Sequence, residues 1–362
     1  MAAEEDRTSL PLMPIALPDD EPCTEASDRT AKGANWAQKS LSLPHAWQLS
    51  QGDGITVGVV DTGVSATAAT LRSRVTVVGE AGSDCVGHGT FTAGLIAAAQ
   101  TSGTDFHGVA PAARIIAVRG TDERGLATAD RVAQGIRTAV DRGAQVVHVS
   151  SALSVGEEAL TAAVRHATER DVLVVAPAAP DSERRSTDAR VKAYWPASAP
   201  GVLSVAGVTA GGTLLKSAAD APKADLAAPG SAVVGVGPRG SGHFIATGSS
   251  AAAAFAAGAA ALVRAYDTHL TAAETARRLT SSAAPTGNAP RLDPYAAVSM
   301  ISTGHRGQAA VPDSEPLRLP VVSTTFQDRA LAIAGAMAVM VLVVAAAAVV
   351  IPRGRARGWR RP

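Results

Sequence analysis

The sequence predicts an α/β fold in which helices pack on a central parallel β-sheet. Short apolar runs rich in β-branched residues alternate with longer segments of helical spacing, which is typical of βαβ units. Residues 251–263 are almost all alanine or a larger apolar residue, so they predict a helix that is buried on every side. Hydrophobic residues make up 46% of the 362-residue chain, which allows a sizeable core.

The elements of this fold are predicted within residues 51–300, the main domain. Strands are expected at residues 55–60, 114–118, 145–149, 172–175, 202–208 and 226–230. Helices are expected at residues 91–99, 128–141, 157–170, 251–263 and 272–280. Residues 1–50 are polar and weakly periodic, so they predict an irregular N-terminal extension. Residues 301–329, rich in Pro, Ser, Thr and Gly, predict a linker.

Residues 330–351 form an apolar segment without a charged side chain. As a helix this segment would be roughly 33 Å long, which matches the hydrocarbon core of a bilayer; a buried core helix is the alternative. Residues 352–362 are rich in arginine and contain no acidic residue. By the positive-inside rule, we expect a single-pass membrane protein with a cytoplasmic C-terminal tail and the main domain outside the cell membrane.

The first residues, 1–6, fit this topology poorly. They contain neither a basic region nor an apolar stretch, so they do not have the pattern of a signal peptide. Three explanations stay open: a start codon assigned too far downstream, an export signal of another kind, or a cytosolic domain anchored by its tail.

Three short motifs contain residues suited to nucleophilic catalysis: Asp61, His88 and Ser250. Each alone is more typical of a structural role, as a turn residue, a helix-start residue and a helix N-cap. Together they supply a nucleophile, a base and a carboxylate that can orient the base, in the chain order Asp, His, Ser on a parallel α/β pattern. We therefore predict a catalytic triad.

The motifs themselves resemble those of a known family. Asp61-Thr-Gly, Gly87-His-Gly-Thr and Gly248-Ser-Ser-Ala are similar to the three signatures of the subtilisin-like serine peptidases. The resemblance extends over residues 52–262 and implies a three-layer subtilisin-like fold and a protein or peptide substrate. It also implies that Ser250 attacks the scissile carbonyl, His88 transfers the proton and Asp61 orients the imidazole.

The resemblance also places the groups that would hold the oxyanion and the substrate. The family has an asparagine after the strand at 172–175, and we expect Pro180 at that position, where it offers no hydrogen-bond donor. The remaining oxyanion donors would be the backbone N–H of Ser250 and the hydroxyl of Ser249. Substrate backbone would bind along the edge formed by Ser150, Ser151 and Ala152.

A narrower resemblance covers the ends of the chain. Residues 36–38 and 45–49, the apolar segment and the basic tail are similar to those of mycosins, the membrane-anchored subtilisin-like proteases of actinobacterial type VII secretion systems. The resemblance implies the secretion machinery as a partner. Cys23 lies in the extension and Cys85 beside His88, so we predict a disulfide that ties the extension to the rim of the site; two free thiols are the alternative.

The leading hypothesis is a slow, selective serine endopeptidase. The alternative is a pseudoprotease that acts as a structural component of a secretion apparatus, because Pro180 removes an oxyanion donor. A nucleotide-binding domain is disfavoured by the lack of a Gly-x-Gly-x-x-Gly motif after a strand. No EF-hand pattern or Cys/His cluster is present, so we predict no metal and no cofactor, and the net charge of +1 predicts no nucleic-acid partner.

Overall fold

The computed structural model describes residues 10–31, 33, 35–100, 104–181, 193–219, 224–286, 289–300 and 325–358. The chain divides into two compact units, Met1–Ile301 and Ser302–Pro362. Most of the predicted linker, residues 301–324, lies outside the described residues.

Within the described residues, the first unit contains nine strands and nine helices. The strands are β1 (Thr56–Asp61), β2 (Val75–Val77), β3 (Arg114–Arg119), β4 (Val146–Val149), β5 (Leu173–Pro177), β6 (Val202–Val208), β7 (Leu226–Pro229), β8 (Val233–Val236) and β9 (His243–Ala246). The helices are α1 (Trp36–Ser40), α2 (Leu43–Ala46), α3 (His88–Ala97), α4 (Ala129–Asp141), α5 (Glu157–Thr168), α6 (Lys216–Ala219), α7 (Ser249–Tyr266), α8 (Ala272–Ser281) and α9 (Pro294–Ser299).

Strands β1 to β7 form one parallel sheet in the order β2-β3-β1-β4-β5-β6-β7. Strand β1 lies between β3 and β4, so the strand order reverses direction at the carboxyl end of β1. This position is where ligands usually bind in open α/β sheets. Strands β8 and β9 form a separate antiparallel pair.

The sheet is covered on both faces by helices, which gives the three layers that the sequence predicts. Val57 and Val59 belong to the core that contains α3 and α7, whereas Val60 belongs to the core that contains α4 and α5. Alternate side chains of one strand therefore pack on opposite layers, as in other parallel sheets buried on both faces. The prediction of an α/β fold with a central parallel sheet is confirmed.

Helix α7 runs through the core, as its alanine content predicts. All its residues from Ser249 to Arg264 are buried. Small side chains allow neighbouring backbone to come close: a Cβ on Gly258 would lie 2.6 Å from the Cβ of Val109. The helix begins directly after Gly248, and this start carries the predicted nucleophile.

The N-terminal extension is bound to the domain although its sequence has no regular period. Its backbone amides donate to three separate parts of the domain, at 2.8–2.9 Å: Met13 to Ile245, Leu17 to Arg124 and Thr24 to Cys85. Cys23 and Cys85 form a disulfide with their Cα atoms 4.6 Å apart. The predicted disulfide is confirmed, and it covalently links the extension to the loop before His88.

Removing this disulfide should lower stability without altering the catalytic groups. Cys23 and Cys85 are 62 residues apart, so closing the loop restricts the unfolded chain by about 4 kcal/mol in the chain-entropy account. We expect the double variant Cys23→Ser, Cys85→Ser to unfold at a clearly lower temperature in a thermal melt of detergent-solubilised protein. Reduction of the natural protein is the matched control and should lower its melting temperature equally; an unchanged melting temperature would contradict the prediction.

In the part of the second unit that the structure describes, there is one long helix, α10 (Thr325–Ala356). It begins before residue 330 and therefore takes up the end of the predicted linker. Residues Arg329–Ala356 contain an 18-residue window with a mean hydropathy of 2.8 and are long and apolar enough to cross a membrane. The predicted span of residues 330–351 lies inside this segment, and Arg353 and Arg355 follow it in the last turn.

Candidate active site

Asp61 is the last residue of β1, and its carboxylate is buried. The backbone N–H of Thr62 donates to Oδ1 at 2.7 Å, and the hydroxyl of Thr92 donates to Oδ2 at 2.9 Å. Charge-assisted bonds of this kind compensate for the lost hydration of a buried carboxylate. The position and orientation of the Asp61 carboxylate are therefore held from two sides.

His88 is the first residue of α3 and lies between Asp61 and Ser250. Its Nδ1 is 2.9 Å and 3.0 Å from the two carboxylate oxygens of Asp61. Its Nε2 is 3.2 Å from Oγ of Ser250. With Asp61 ionised, Nδ1 carries a hydrogen, so Nε2 is the nitrogen that can accept the proton of Ser250. The structure thus brings the three predicted catalytic residues into one hydrogen-bonded line.

Asp84, which the sequence analysis did not single out, supports the start of α3. Its carboxylate accepts from the backbone N–H groups of Gly87 and Thr90 at 2.7 and 2.8 Å, and from the hydroxyls of Thr62 and Thr90 at 2.8 and 2.6 Å. It satisfies amides that a helix start leaves unpaired. An acidic residue placed three positions before Gly87 is the signal that would have identified it.

Ser249 has a structural role that differs from the predicted one. Its hydroxyl accepts from the backbone N–H of Gly207 in β6, at 3.1 Å, and the residue is fully buried. The side chain therefore connects the start of α7 to the sheet through a hydrogen bond that it accepts. The contribution of the Ser249 hydroxyl to the oxyanion site stays a prediction.

The residue beside the Ser250 backbone is Asp181, not Pro180. The backbone N–H of Ser250 donates to Oδ1 of Asp181 at 2.9 Å, and the Ser250 hydroxyl donates to Oδ2. A Cβ on Gly248 would overlap the same carboxylate. The assignment of Pro180 to this place is therefore wrong by one residue, because the turn after β5 directs the side chain that follows the proline towards the start of α7.

Two carboxylates flank His88. Nε2 of His88 is 3.6 Å from Oδ2 of Asp181, on the side away from Asp61. Burial alone would lower the pKa of His88, but attraction to Asp61 and hydrogen bonding to Asp181 raise it well above its ordinary value. Burial would likewise raise the pKa of Asp61, but the neighbouring His88 lowers it. The structure therefore favours the imidazolium form of His88.

His148 lies next to this group, in β4, and is fully buried. Burial lowers the pKa of His148 to about 4, so the ring is neutral near pH 7. Among the residues that the structure describes, neither ring nitrogen has a hydrogen-bond partner. His148 therefore adds no positive charge behind the triad.

A cavity of about 230 Å³ opens beside the triad. Its lining includes Asp61 and His88, the predicted substrate-binding residues Ser150, Ser151 and Ala152, and the residues Gly125, Leu126, Pro180 and Asp181. Ile15 of the N-terminal extension also lines it. The sequence analysis missed Ile15, because nothing in an irregular segment indicates which part of the domain it will cover.

A comparison with models of known families points to the same family as the fold and the site. It agrees with the strand order and with the hydrogen-bonded line of Asp61, His88 and Ser250. The model of the subtilase family matches residues 52–312. The chain belongs to the subtilase family. The peptidases of this family are serine peptidases, which confirms the resemblance inferred from the three motifs.

Individual relatives show which members of this family the chain resembles. Mycosin-4 of Mycobacterium tuberculosis is 30% identical over 92% of this subtilase and 87% of its own length, and mycosin-3 of the same organism is 32% identical over 84% and 81%. Thermitase of Thermoactinomyces vulgaris is 32% identical over 63% of the chain and 81% of its own length. The match to mycosin-4 thus extends well beyond residues 52–312.

Solved structures show the same similarity to mycosins. The structure of the MycP3 protease from the type VII (ESX-3) secretion system is 28% identical and aligns with a TM-score of 0.66, over 81% of this subtilase and 98% of that chain. A chain in the periplasmic assembly of the ESX-5 inner membrane complex is 27% identical, with a TM-score of 0.66 over 86% and 99%. The predicted similarity to mycosins is confirmed.

Proposed function

We propose that this subtilase is a membrane-anchored serine endopeptidase that works with a type VII secretion system. The observation that carries the proposal is the continuous line from Asp61 through His88 to Oγ of Ser250. This line supplies the orienting carboxylate, the base and the nucleophile that acyl transfer requires. A similar protein supports the setting, because the MycP3 protease is from the type VII (ESX-3) secretion system.

The proposed reaction proceeds through an acyl-enzyme. Oγ of Ser250 attacks the scissile carbonyl while its proton passes to Nε2 of His88, and His88 then gives this proton to the leaving amine. Asp61 keeps the imidazole oriented and stabilises its positive charge. Water repeats the sequence on the ester and frees Ser250. The edge formed by Ser150, Ser151 and Ala152 is proposed to bind the substrate backbone.

The same site supports low rather than high activity. The backbone N–H of Ser250 lies at the start of α7, where it is placed to donate to an oxyanion. In this structure that N–H donates to Asp181 instead. Loss of one oxyanion donor typically lowers kcat by about 10²–10³. The occupied N–H is also the observation that favours the second candidate function, a structural component of the secretion apparatus with a vestigial site.

Covalent labelling distinguishes these two functions. A fluorophosphonate probe reacts only with a serine that is activated by its base, so we expect it to modify Ser250 in the detergent-solubilised full chain. Mass spectrometry of the labelled peptide identifies the modified residue, and Ser250→Ala, which lacks the hydroxyl, is the control. The variant Asp181→Asn places a donor beside the Ser250 N–H. Absence of labelling in both this variant and the natural protein would favour the structural role.

We further propose that α10 anchors the protein, with its C-terminal arginines in the cytoplasm and the peptidase domain outside. Arg353 and Arg355 at the end of the apolar helix support this orientation through the positive-inside rule. The alternative is a cytosolic domain held by its tail.

Protease protection tests the orientation. If the domain is outside, a protease added to intact cells with a permeabilised cell wall should remove an epitope placed in the exposed turn at Gly211–Gly212 and spare one at the C-terminus. A cytosolic reporter protein that stays intact shows that the membrane is closed. Digestion of the domain only after membrane lysis would contradict the proposed orientation.

A further inference from the structure

Asp181 occupies the backbone N–H that a reacting carbonyl oxygen would use. Its carboxylate accepts from the Ser250 backbone N–H at 2.9 Å and from the Ser250 hydroxyl. Its side chain is only 7% exposed, so it belongs to the floor of the cleft and not to the solvent. A substrate oxyanion formed by attack of Ser250 would have to lie against the same N–H. Asp181 and the oxyanion therefore compete for one position.

We propose that Asp181 is a catalytic residue that works only when protonated: as a carboxylic acid it donates a hydrogen bond to the oxyanion, and as a carboxylate it closes the oxyanion site. This inference rests on the proposed peptidase function. It adds a residue with a defined protonation state to the triad, and it explains the low activity proposed above.

The ionised form is inhibitory for two reasons. A carboxylate facing a developing oxyanion places two negative charges within a few ångströms inside a water-poor site, which raises the barrier. In addition, the Ser250 hydroxyl donates its hydrogen to Asp181 and not to His88, so the proton points away from the base that must remove it. Both effects disappear when the Asp181 carboxyl is protonated and turns away from the Ser250 N–H.

The protonated form supplies what the family position requires. Aspartic acid has nearly the same shape as asparagine, and its O–H is a donor where the amide N–H would be. Once the neutral Asp181 carboxyl turns away from the Ser250 N–H, that N–H and the Asp181 O–H form a pair of donors around the vacated position, and Oγ is free to donate to Nε2 of His88. The geometry around Ser250 then corresponds to a complete oxyanion site.

The proton on Asp181 can come from His88, because the two groups form a coupled pair. Among the described residues, the titratable groups around Asp181 are His88 at 3.6 Å, Asp61 behind His88, and His148. His148 is neutral near pH 7. Imidazolium with carboxylate and imidazole with carboxylic acid contain the same number of protons, and they differ only in whether the proton is on Nε2 of His88 or on Oδ2 of Asp181.

The second of these two forms is the working one. In it, Oγ of Ser250 bonds to the carbonyl carbon, its proton moves to Nε2 of His88, and the carbonyl π electrons become the oxyanion held by the Ser250 N–H and the Asp181 O–H. Attraction between Asp181 and His88 favours the ion pair, so the working form is a small fraction of the enzyme, and the observed rate is reduced by that fraction.

This pair predicts a bell-shaped dependence of rate on pH. At low pH both groups are protonated and His88 cannot accept a proton, so the rate falls. At high pH both have lost their protons and the Asp181 carboxylate closes the oxyanion site, so the rate falls again. Only the range in which the pair contains one proton includes the working form.

The test compares Asp181→Asn and Asp181→Ala with the natural protein. The measured quantity is the second-order rate of Ser250 labelling by a fluorophosphonate probe from about pH 5 to about pH 10, on the detergent-solubilised full chain. Asparagine supplies the donor without a charge, so we expect the rate to rise by about 10²–10³ and the alkaline decline to disappear. Alanine removes the carboxylate but adds no donor, so we expect the alkaline decline to disappear with a smaller rise in rate.

The outcomes are separable. A faster Asp181→Asn variant whose rate rises with pH to a plateau supports the proposal. Ser250-dependent labelling of the natural protein, with an unchanged rate and profile in Asp181→Asn, overturns it and leaves the peptidase function intact. If neither protein is labelled at any pH, while both melt cooperatively at similar temperatures, the peptidase function fails and this inference fails with it.

Discussion

Replacing Asp61 with asparagine should lower kcat by about 10⁴ while the protein stays folded. The oxygen of the introduced amide would still accept from the Thr62 backbone N–H, so its NH₂ group would face Nδ1 of His88. An NH₂ donor forces the imidazole to carry its hydrogen on Nε2. Nε2 then cannot accept the proton of Ser250, so the base is present in the right place but in the wrong tautomer.

Thr92→Val is the matched control for this prediction. It removes the hydroxyl that donates to Oδ2 of Asp61 at 2.9 Å but keeps the carboxylate and its charge. We expect a much smaller loss than with Asp61→Asn, because the tautomer of His88 is unchanged. Labelling rates at Ser250 and thermal melts of both variants provide the measurement. Equal losses in the two variants would mean that Asp61 acts by packing and not by orienting the imidazole.

Replacing Gly89 with alanine should strongly destabilise the domain and abolish labelling of Ser250. A Cβ on Gly89 would overlap the backbone carbonyl oxygen of Gly63 and would come within 3.0 Å of the Asp61 Cβ. The Gly89 N–H also donates to the Thr62 hydroxyl at 2.9 Å. Because backbone atoms cannot rotate away as a side chain can, we expect a loss of at least about 3 kcal/mol in the free energy of unfolding.

Gly211→Ala is the control for Gly89→Ala. The nearest atom to a Cβ there is the Thr209 hydroxyl oxygen at 3.8 Å, which is ordinary contact. We expect a change within about 0.5 kcal/mol and a normal labelling rate. Denaturant titration gives the free energies. If Gly89→Ala were as stable and as reactive as Gly211→Ala, the start of α3 would have to be far more adaptable than its contacts with β1 indicate.

The fold was predictable because the strands that build the sheet are continuous apolar runs and the helices have a clear period. Strand β1 and helix α4 are examples: Val57, Val59, Val132 and Ile136 are all buried where their spacing predicts. Strand β2 escaped prediction because it has only three residues and none of them is fully buried. Its pairing with β3 is decided by the neighbouring strand and not by its own sequence.

The triad was predictable because short motifs hold each of its residues at a strand end or a helix start. The oxyanion site was not, because its side chain comes from a turn, and turn geometry decides which residue points inward. A shift of one position exchanges Pro180 for Asp181 and thereby exchanges a missing donor for an ionisable group. The position of Ile15 could not be predicted for a related reason, since hydrogen bonds to distant parts of the domain determine its place.

The disulfide between Cys23 and Cys85 determines what a single cleavage of the backbone would produce. Any cut in the loop that the two cysteines close yields two polypeptides that stay joined through sulfur. The segment carrying Ile15 would therefore remain in the cleft wall after such a cut, held by the bridge and by the amide hydrogen bonds of Met13 and Leu17. Shedding the segment by a cut in this loop requires two different chemistries, hydrolysis of a peptide bond and reduction of a thiol pair, and neither alone uncovers the site.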